Sequence, residues 1–347
     1  MFKHIIKVAA LVCAMLIGLS LTGCADTSWA LKVDNITIPS GVYITYLMSA
    51  RQTVLSASSS SSSSSTGVTL NGTTSADAWS QKIEGQNALS WAINSSVDSC
   101  KQLAIVEELC AKKKIVLTAD EKTTASTEAA NYIQNTAYAS NGVSSSSLER
   151  ILGVNYFLTS KLFTSYYGAT GETPVADNDI KTYFTGNYVQ IKQVFLNKYD
   201  DTNALLSADK LTAKKAMANT VLGKVTASKT NFDSYVTTYN EDGGMKTNPN
   251  GYVFNKNDSY IQLFKDTAFS MAVGDVKLIE TDQGWHIMYK VPLDSDASWF
   301  TANKPTVLEA MKSVDFQTLL TNAIAKAKVS INADTKNRYN PKNLKDS

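Results

Sequence analysis

The chain has two histidines, His4 and His286. His286 stands in Gly284-Trp285-His286-Ile287, just behind a glycine and at the start of a strand-like stretch. His4 falls in an N-terminal segment that reads as a leader, which leaves one imidazole for the folded protein. One imidazole and two distant cysteines, Cys100 and Cys110, cannot build a four-coordinate zinc site. The expectation is a site without metal or cofactor.

Residues 1–23 have the form of a secretory signal: Lys3 and Lys7, then an apolar run from Val8 to Leu19, then Leu21-Thr22-Gly23-Cys24. The last four residues resemble a bacterial lipobox, which implies a diacylglyceryl thioether on Cys24. Two or three acyl chains hold a protein at a membrane surface where one does not. The formal charge of +2 is accounted for by Lys3 and Lys7. A neutral mature chain offers no electrostatic case for nucleic acid. Cys100 and Cys110 share one helical pattern, where ten positions span about 15 Å at about 1.5 Å per residue. That is too far for a disulfide, and both are expected to be free and buried.

The elements that must position the histidine follow from periodicity. Trp29–Ser40 alternates, with a turn at Asp34-Asn35, and a helix begins near Val42. Ser56–Thr66 is nearly all serine and is expected to be a mobile loop. Ala88–Lys113 carries apolar residues at helical spacing, and Thr118-Ala119-Asp120-Glu121 is a capping box for the next helix. A further helix follows Ser144–Ser147. From Tyr188 the pattern becomes a strand, with Val189, Ile191, Gln193 and Phe195 on one face. Helices are expected over 207–224, 232–239 and 259–268, and strands over 276–279 and 285–291. Pro305–Lys328 is expected to be a closing helix.

Residues 188–293 resemble a parvulin-type peptidyl-prolyl cis/trans isomerase domain. The residues that carry the resemblance are Asn231-Phe232 with Tyr239, Gly251-Tyr252-Val253-Phe254, Phe264-Lys265-Asp266-Thr267-Ala268-Phe269, Gly274-Asp275-Val276 and Gly284-Trp285-His286-Ile287. The whole chain, apart from the serine tract, is similar to the PrsA-like foldase lipoproteins. The resemblance implies an α+β fold in which a helical chaperone domain of the SurA/PrsA kind, built from N- and C-terminal segments, holds an inserted parvulin-like α/β domain. The implied boundaries are a signal peptide over 1–23, a helical domain over 24–175, the isomerase domain over 176–295 and a closing segment over 296–347.

Carried over residue by residue, the resemblance makes His286, Asp242 and Gln193 the polar network. Phe264 becomes the wall of the proline slot, with Tyr260 and Phe254 beside it and Gln283 at a small polar position before Gly284. Gln193 stands where the family's first histidine is expected, and a glutamine keeps hydrogen bonds without copying an imidazole pair. Two readings follow: an active foldase that isomerises X-Pro bonds, or a catalytically inactive holdase of the same architecture. Both imply unfolded or partly folded secreted polypeptides as partners and a groove between the helical and α/β parts. Both also imply a lipid anchor at Cys24 on the outer face of the bacterial cytoplasmic membrane, and both leave a homodimer open.

Overall fold

The computed structural model describes residues 28–59, 78–135, 137–294 and 297–345. Cys24, the leader and most of the serine tract lie outside them. The described residues fall into two compact units, divided at 174/175 and again at 313/314, the first made of the N- and C-terminal parts and the second of the part between them.

In the first unit, β1 (Trp29–Val33) and β2 (Ile36–Pro39) form a hairpin. Asp34 takes the positive φ that its turn requires. Helix α1 (Ser40–Ser59) follows directly. The serine tract therefore begins inside a helix rather than in a loop. The Ser56 hydroxyl donates back to the Gln52 carbonyl at 2.8 Å, the local bond by which serine is accommodated in a helical backbone. A two-residue hairpin, β3 (Lys82–Ile83) with β4 (Gln86–Asn87), leads into α2 (Ala88–Lys112), whose Asn87 cap accepts from the Leu89 amide. Cys100 and Cys110 are free and buried in α2. Burial pushes the Cys110 thiol up to about 11.

Helix α3 (Ala119–Asn135) opens with the expected capping box. The Glu121 amide donates to Thr118 Oγ1 at 3.2 Å, and the Thr118 amide donates to Glu121 Oε2 at 2.8 Å. Then α4 (Ser145–Leu152), a π-helical turn at Gly153–Leu158 and α5 (Thr159–Tyr167) run on without a break. Arg150 on α4 grips Glu107 on α2 through Nε at 2.7 Å and Nη2 at 2.6 Å. Its Nη1 donates to the Thr37 carbonyl at 2.8 Å, joining two helices to the hairpin.

The second unit opens with α6 (Asp177–Asn187) and β5 (Tyr188–Asn197). Helices α7 (Ala208–Ala227) and α8 (Phe232–Tyr239) follow, then the short α9 (Gly244–Thr247) and β6 (Tyr252–Asn255). After these come α10 (Gln262–Ser270), β7 (Val276–Glu280) and β8 (Gly284–Val291). The sheet is antiparallel, in the order β6-β5-β8-β7.

Because β5 and β8 are central, both of their faces are covered, and the alternation of the sequence sorts residues between two cores. Val194, Leu196, Trp285 and Ile287 pack with Ala218, Val221, Val225 and Phe232 of α7 and α8. Val189, Ile191 and Met288 pack on the opposite face with Phe254 and with Phe264 and Ala268 of α10.

The last long helix, α11 (Ser298–Lys326), begins seven residues before Pro305, where the sequence places its start. Asp294 supplies the cap: its two carboxylate oxygens accept from the Trp299 and Phe300 amides at 2.9 and 2.7 Å. Within the second unit, Trp299 stacks on Phe184 with ring centres 5.4 Å apart. The rest of α11 is counted with the first unit, where Phe316 meets Phe163 edge to face at 5.4 Å. Strand β9 (Val329–Ile331) then pairs with β1, placing Leu31 opposite Ile331.

Candidate functional site

The site lies on the face of the second unit's sheet that α10 covers. Gln193 on β5 and His286 on β8 share that face, because the strands pair Phe195 with His286 and alternate in twos. Gln193 Oε1 and His286 Nδ1 are 2.8 Å apart. Gln193 Nε2 donates to Asp242 Oδ2 at 2.8 Å, and the Tyr252 hydroxyl donates to the same oxygen at 2.6 Å. At the other end His286 Nε2 lies 3.0 Å from Thr281 Oγ1.

The directions in this chain are decided by the carboxylate. An ionised carboxylate only accepts, so the Gln193 amide must turn its NH2 toward Asp242 and its oxygen toward His286. His286 then carries its proton on Nδ1, and Nε2 accepts from Thr281. The ring is 6 % exposed. Burial pulls its pKa down to about 4, and the Asp242 charge opposes that only in part. The imidazole is therefore neutral at physiological pH and serves as a relay of hydrogen bonds rather than as a cation.

Asp242 sits on the loop after α8, and that loop is tied to β5 where β6 ceases to pair. The Phe195 amide donates to Asn240 Oδ1 at 2.9 Å, and the Phe195 carbonyl accepts from the Glu241 amide at 2.8 Å. Asn240 Nδ2 donates onward to the Asp242 carbonyl at 2.7 Å. Backbone groups of a strand that would otherwise lack partners are thus used to fix the carboxylate's position. The Gly244 amide holds Asp242 Oδ1 at 2.9 Å. A Cβ at Gly244 would lie 2.3 Å from the Tyr252 hydroxyl, so only glycine lets the loop come this close. Gly251 is the second such position: its φ is +101°, and a Cβ there would lie 2.8 Å from the Ile191 carbonyl oxygen.

Aromatic rings surround the polar chain. Phe195 and Phe264 face His286 with ring centres 4.7 and 5.5 Å away. Tyr260 stacks on Phe264 at 5.8 Å and lies 4.5 Å from Phe254. Phe254 is 0 % and Phe264 3 % exposed, so both are packed core, while Tyr260 is half-buried. Low exposure and apolar walls strengthen each hydrogen bond inside.

The structure brings together His286, Gln193, Asp242, Phe264, Tyr260 and Phe254 of the residues expected from sequence. Gln283 stays apart: it is exposed on the β7–β8 turn, and its backbone amide donates to Thr281 Oγ1 at 3.2 Å. The hydroxyl that reaches the imidazole is that of Thr281, two residues earlier. Sequence reasoning assigned no role to Thr281, Tyr252 or Phe195. Period-two alternation was the available signal for the last two, since Tyr252 lies two residues from Phe254 and Phe195 two from Gln193. For Thr281 the signal was a hydroxyl residue three positions before the turn glycine, a spacing at which its oxygen can cap the turn. Among the described residues no group of three or more His, Cys, Asp or Glu side chains could hold a metal ion.

Residues 180–291 match the family described as the PPIC-type PPIASE domain. No curated protein matches the chain. Among solved structures, the chain is similar to PrsA from Bacillus subtilis at 18 % identity, covering 72 % of this chain and 91 % of that one with a TM-score of 0.30. It is similar to foldase protein PrsA from Streptococcus pneumoniae at 17 % identity, covering 71 % and 88 % with a TM-score of 0.39. For the peptidylprolyl isomerase PrsA from Bacillus cereus, identity is 18 %, coverage 72 % and 89 %, and the TM-score 0.29. With the family match over its sheet and helices, the segment that holds Gln193, Asp242 and His286 is a PPIC-type parvulin rotamase domain.

Proposed function

We propose that this chain is an extracytoplasmic foldase. Its rotamase domain isomerises X-Pro bonds in secreted polypeptides, and a lipid on Cys24 anchors it to the outer face of the bacterial cytoplasmic membrane. Among the described residues no helix is long and apolar enough to cross a membrane.

One observation carries the catalytic reading: Gln193, the departure from the family's first histidine, closes the hydrogen-bonded chain instead of breaking it. It spans His286 and Asp242 at 2.8 Å on each side. The X-Pro amide resists rotation because its nitrogen lone pair is delocalised, with a barrier of about 18 to 20 kcal/mol. Rotation becomes easier when the amide leaves water and its twisted form is held better than either planar form. The rings of Tyr260, Phe264 and Phe195 supply the apolar surroundings. The chain from Tyr252 to Thr281, with its neutral imidazole, supplies fixed donors and acceptors that need no reorganisation during the turn. Acid–base and covalent steps are not required.

A second reading, a holdase with an inactive domain, is favoured by the burial of Phe254 and Phe264, since a proline ring must part packed aromatics to enter. A proline-limited refolding assay separates the two. The parent, His286→Ala and Gln193→His are compared, together with suppression of aggregation of an unfolded client. Turnover in the parent that is lost in His286→Ala supports the foldase. An inactive parent that still prevents aggregation supports the holdase.

A further inference from the structure

We propose that Tyr252 is a positioning residue of this site. By sharing Asp242 Oδ2 with the Gln193 amide, its phenol keeps the carboxylate turned toward Gln193 and so holds His286 with its proton on Nδ1. The inference rests on the isomerase reading for its consequence in rate, but not for its geometry.

Between Gln193 and Thr281 alone, the hydrogen bonds can be drawn in two directions. In the observed one, NH2 of Gln193 meets Asp242, its oxygen accepts from His286 Nδ1, and Nε2 accepts from Thr281. In the reversed one, the Gln193 NH2 would donate to Nδ1 and the ring would donate from Nε2 to Thr281. The Thr281 hydroxyl lies 3.0 Å from Nε2 and 3.3 Å from the Gly284 carbonyl, and its oxygen also accepts from the Gln283 and Gly284 amides at 3.2 and 3.3 Å. Those two amides favour Thr281 as the donor to Nε2, which agrees with the observed direction, and Asp242 imposes the same direction from the other end.

Among the described residues the backbone donor to Asp242 is the Gly244 amide, on Oδ1. Rotation about the last bond of an aspartate side chain is soft. A second point of attachment, on Oδ2, is what stops the carboxylate from swinging away from Gln193. Tyr252 provides it at 2.6 Å from the edge strand β6, with its ring fixed 6.1 Å from that of Tyr260. Burial and the Asp242 carboxylate together push the Tyr252 phenol well above its ordinary pKa, so it remains a donor throughout the accessible range.

The test uses the full chain in detergent micelles, with histidine labelled with nitrogen-15. Only His4 and His286 contribute ring signals, and His286→Gln assigns them. The parent should show one His286 tautomer, with the proton on Nδ1. Tyr252→Phe keeps the ring and removes the donor. It should show a mixture of both tautomers and about a tenfold lower kcat/KM on an Ala-Pro peptide, the size expected for one hydrogen bond to a charged group. Asp242→Asn, whose amide can face Gln193 either way, should mix the tautomers as well. An unchanged tautomer in Tyr252→Phe overturns the proposal, whether or not the rate falls, because ring packing would then account for the effect. If the parent shows no turnover, the isomerase reading fails on its own. A tautomer mixture in Tyr252→Phe would still uphold the role given to this residue.

Discussion

Acidification should destabilise the rotamase unit through one residue. His286 is buried as the neutral form, its pKa depressed from 6.5 to about 4. In the unfolded chain the same ring has its ordinary pKa of about 6.5. Between these values the unfolded state holds a proton that the folded state does not, so stability falls as the pH is lowered through this window and levels off below about 4. At about 1.36 kcal/mol per pKa unit, the loss is about 2 kcal/mol at pH 5 and about 3 kcal/mol at pH 4. The assay is amide hydrogen exchange at Val194 and Ile287, which lie at 0 % exposure in the central strands and report opening of this unit. His286→Gln serves as the reference, and the difference between the two pH profiles removes the carboxylates that titrate in both. Glu280, drawn down to about 2 by its contact with Lys198, is one such group, and its contribution falls away only at lower pH. An imidazole that titrates near 6.5 by nitrogen-15 shift, or parent and variant profiles that run parallel from pH 7 to 4, would falsify the buried neutral relay.

If catalysis depends on that relay, the isomerisation rate should be flat from pH 8 to about 5.5, and a bell centred near the ordinary histidine pKa would contradict it. Gln193→Leu keeps the volume but leaves a buried N–H of His286 without an acceptor. It should cost about 3 kcal/mol in urea unfolding and abolish turnover, whereas a loss under about 1 kcal/mol would mean that water enters the site. Gly244→Ala pushes a methyl group against the Tyr252 hydroxyl and Asp242 and should cost about 1–3 kcal/mol. A neutral result would show that the loop has slack. Phe264→Ala empties a packed position beside the imidazole. It should lower stability by about 3–5 kcal/mol and weaken proline-peptide binding in calorimetry, and unchanged binding would remove Phe264 from the slot.

Much of this architecture was legible because the physics that builds it is local. The capping box at Thr118–Glu121 and the strands around Val194 and Ile287 announce themselves in period and end signals. Boundaries were harder where a distant residue decides them. The start of α11 moves back from Pro305 to Ser298 because Asp294 caps it, and no periodicity reveals a cap placed four residues outside the helix. The same holds for the serine tract, whose first residue, Ser56, continues α1 with its hydroxyl bonded to the Gln52 carbonyl one turn behind.

The polar chain was half legible for a related reason. Resemblance carries over side chains by position, and it led to Gln283, the polar residue nearest Gly284. The turn instead brings Thr281 under the ring. At Gln193 resemblance marked only a missing histidine, because sequence compares identities one at a time. The structure compares valences: between an acceptor-only carboxylate and a ring nitrogen that needs an acceptor, an amide has one donor and one acceptor to offer, in a single workable orientation. Glutamine fills the position through that match. A substitution that reads as a loss in the sequence therefore leaves every link from Tyr252 to Thr281 made, and the identity of the residue at 193 matters less than the direction that Asp242 imposes on it.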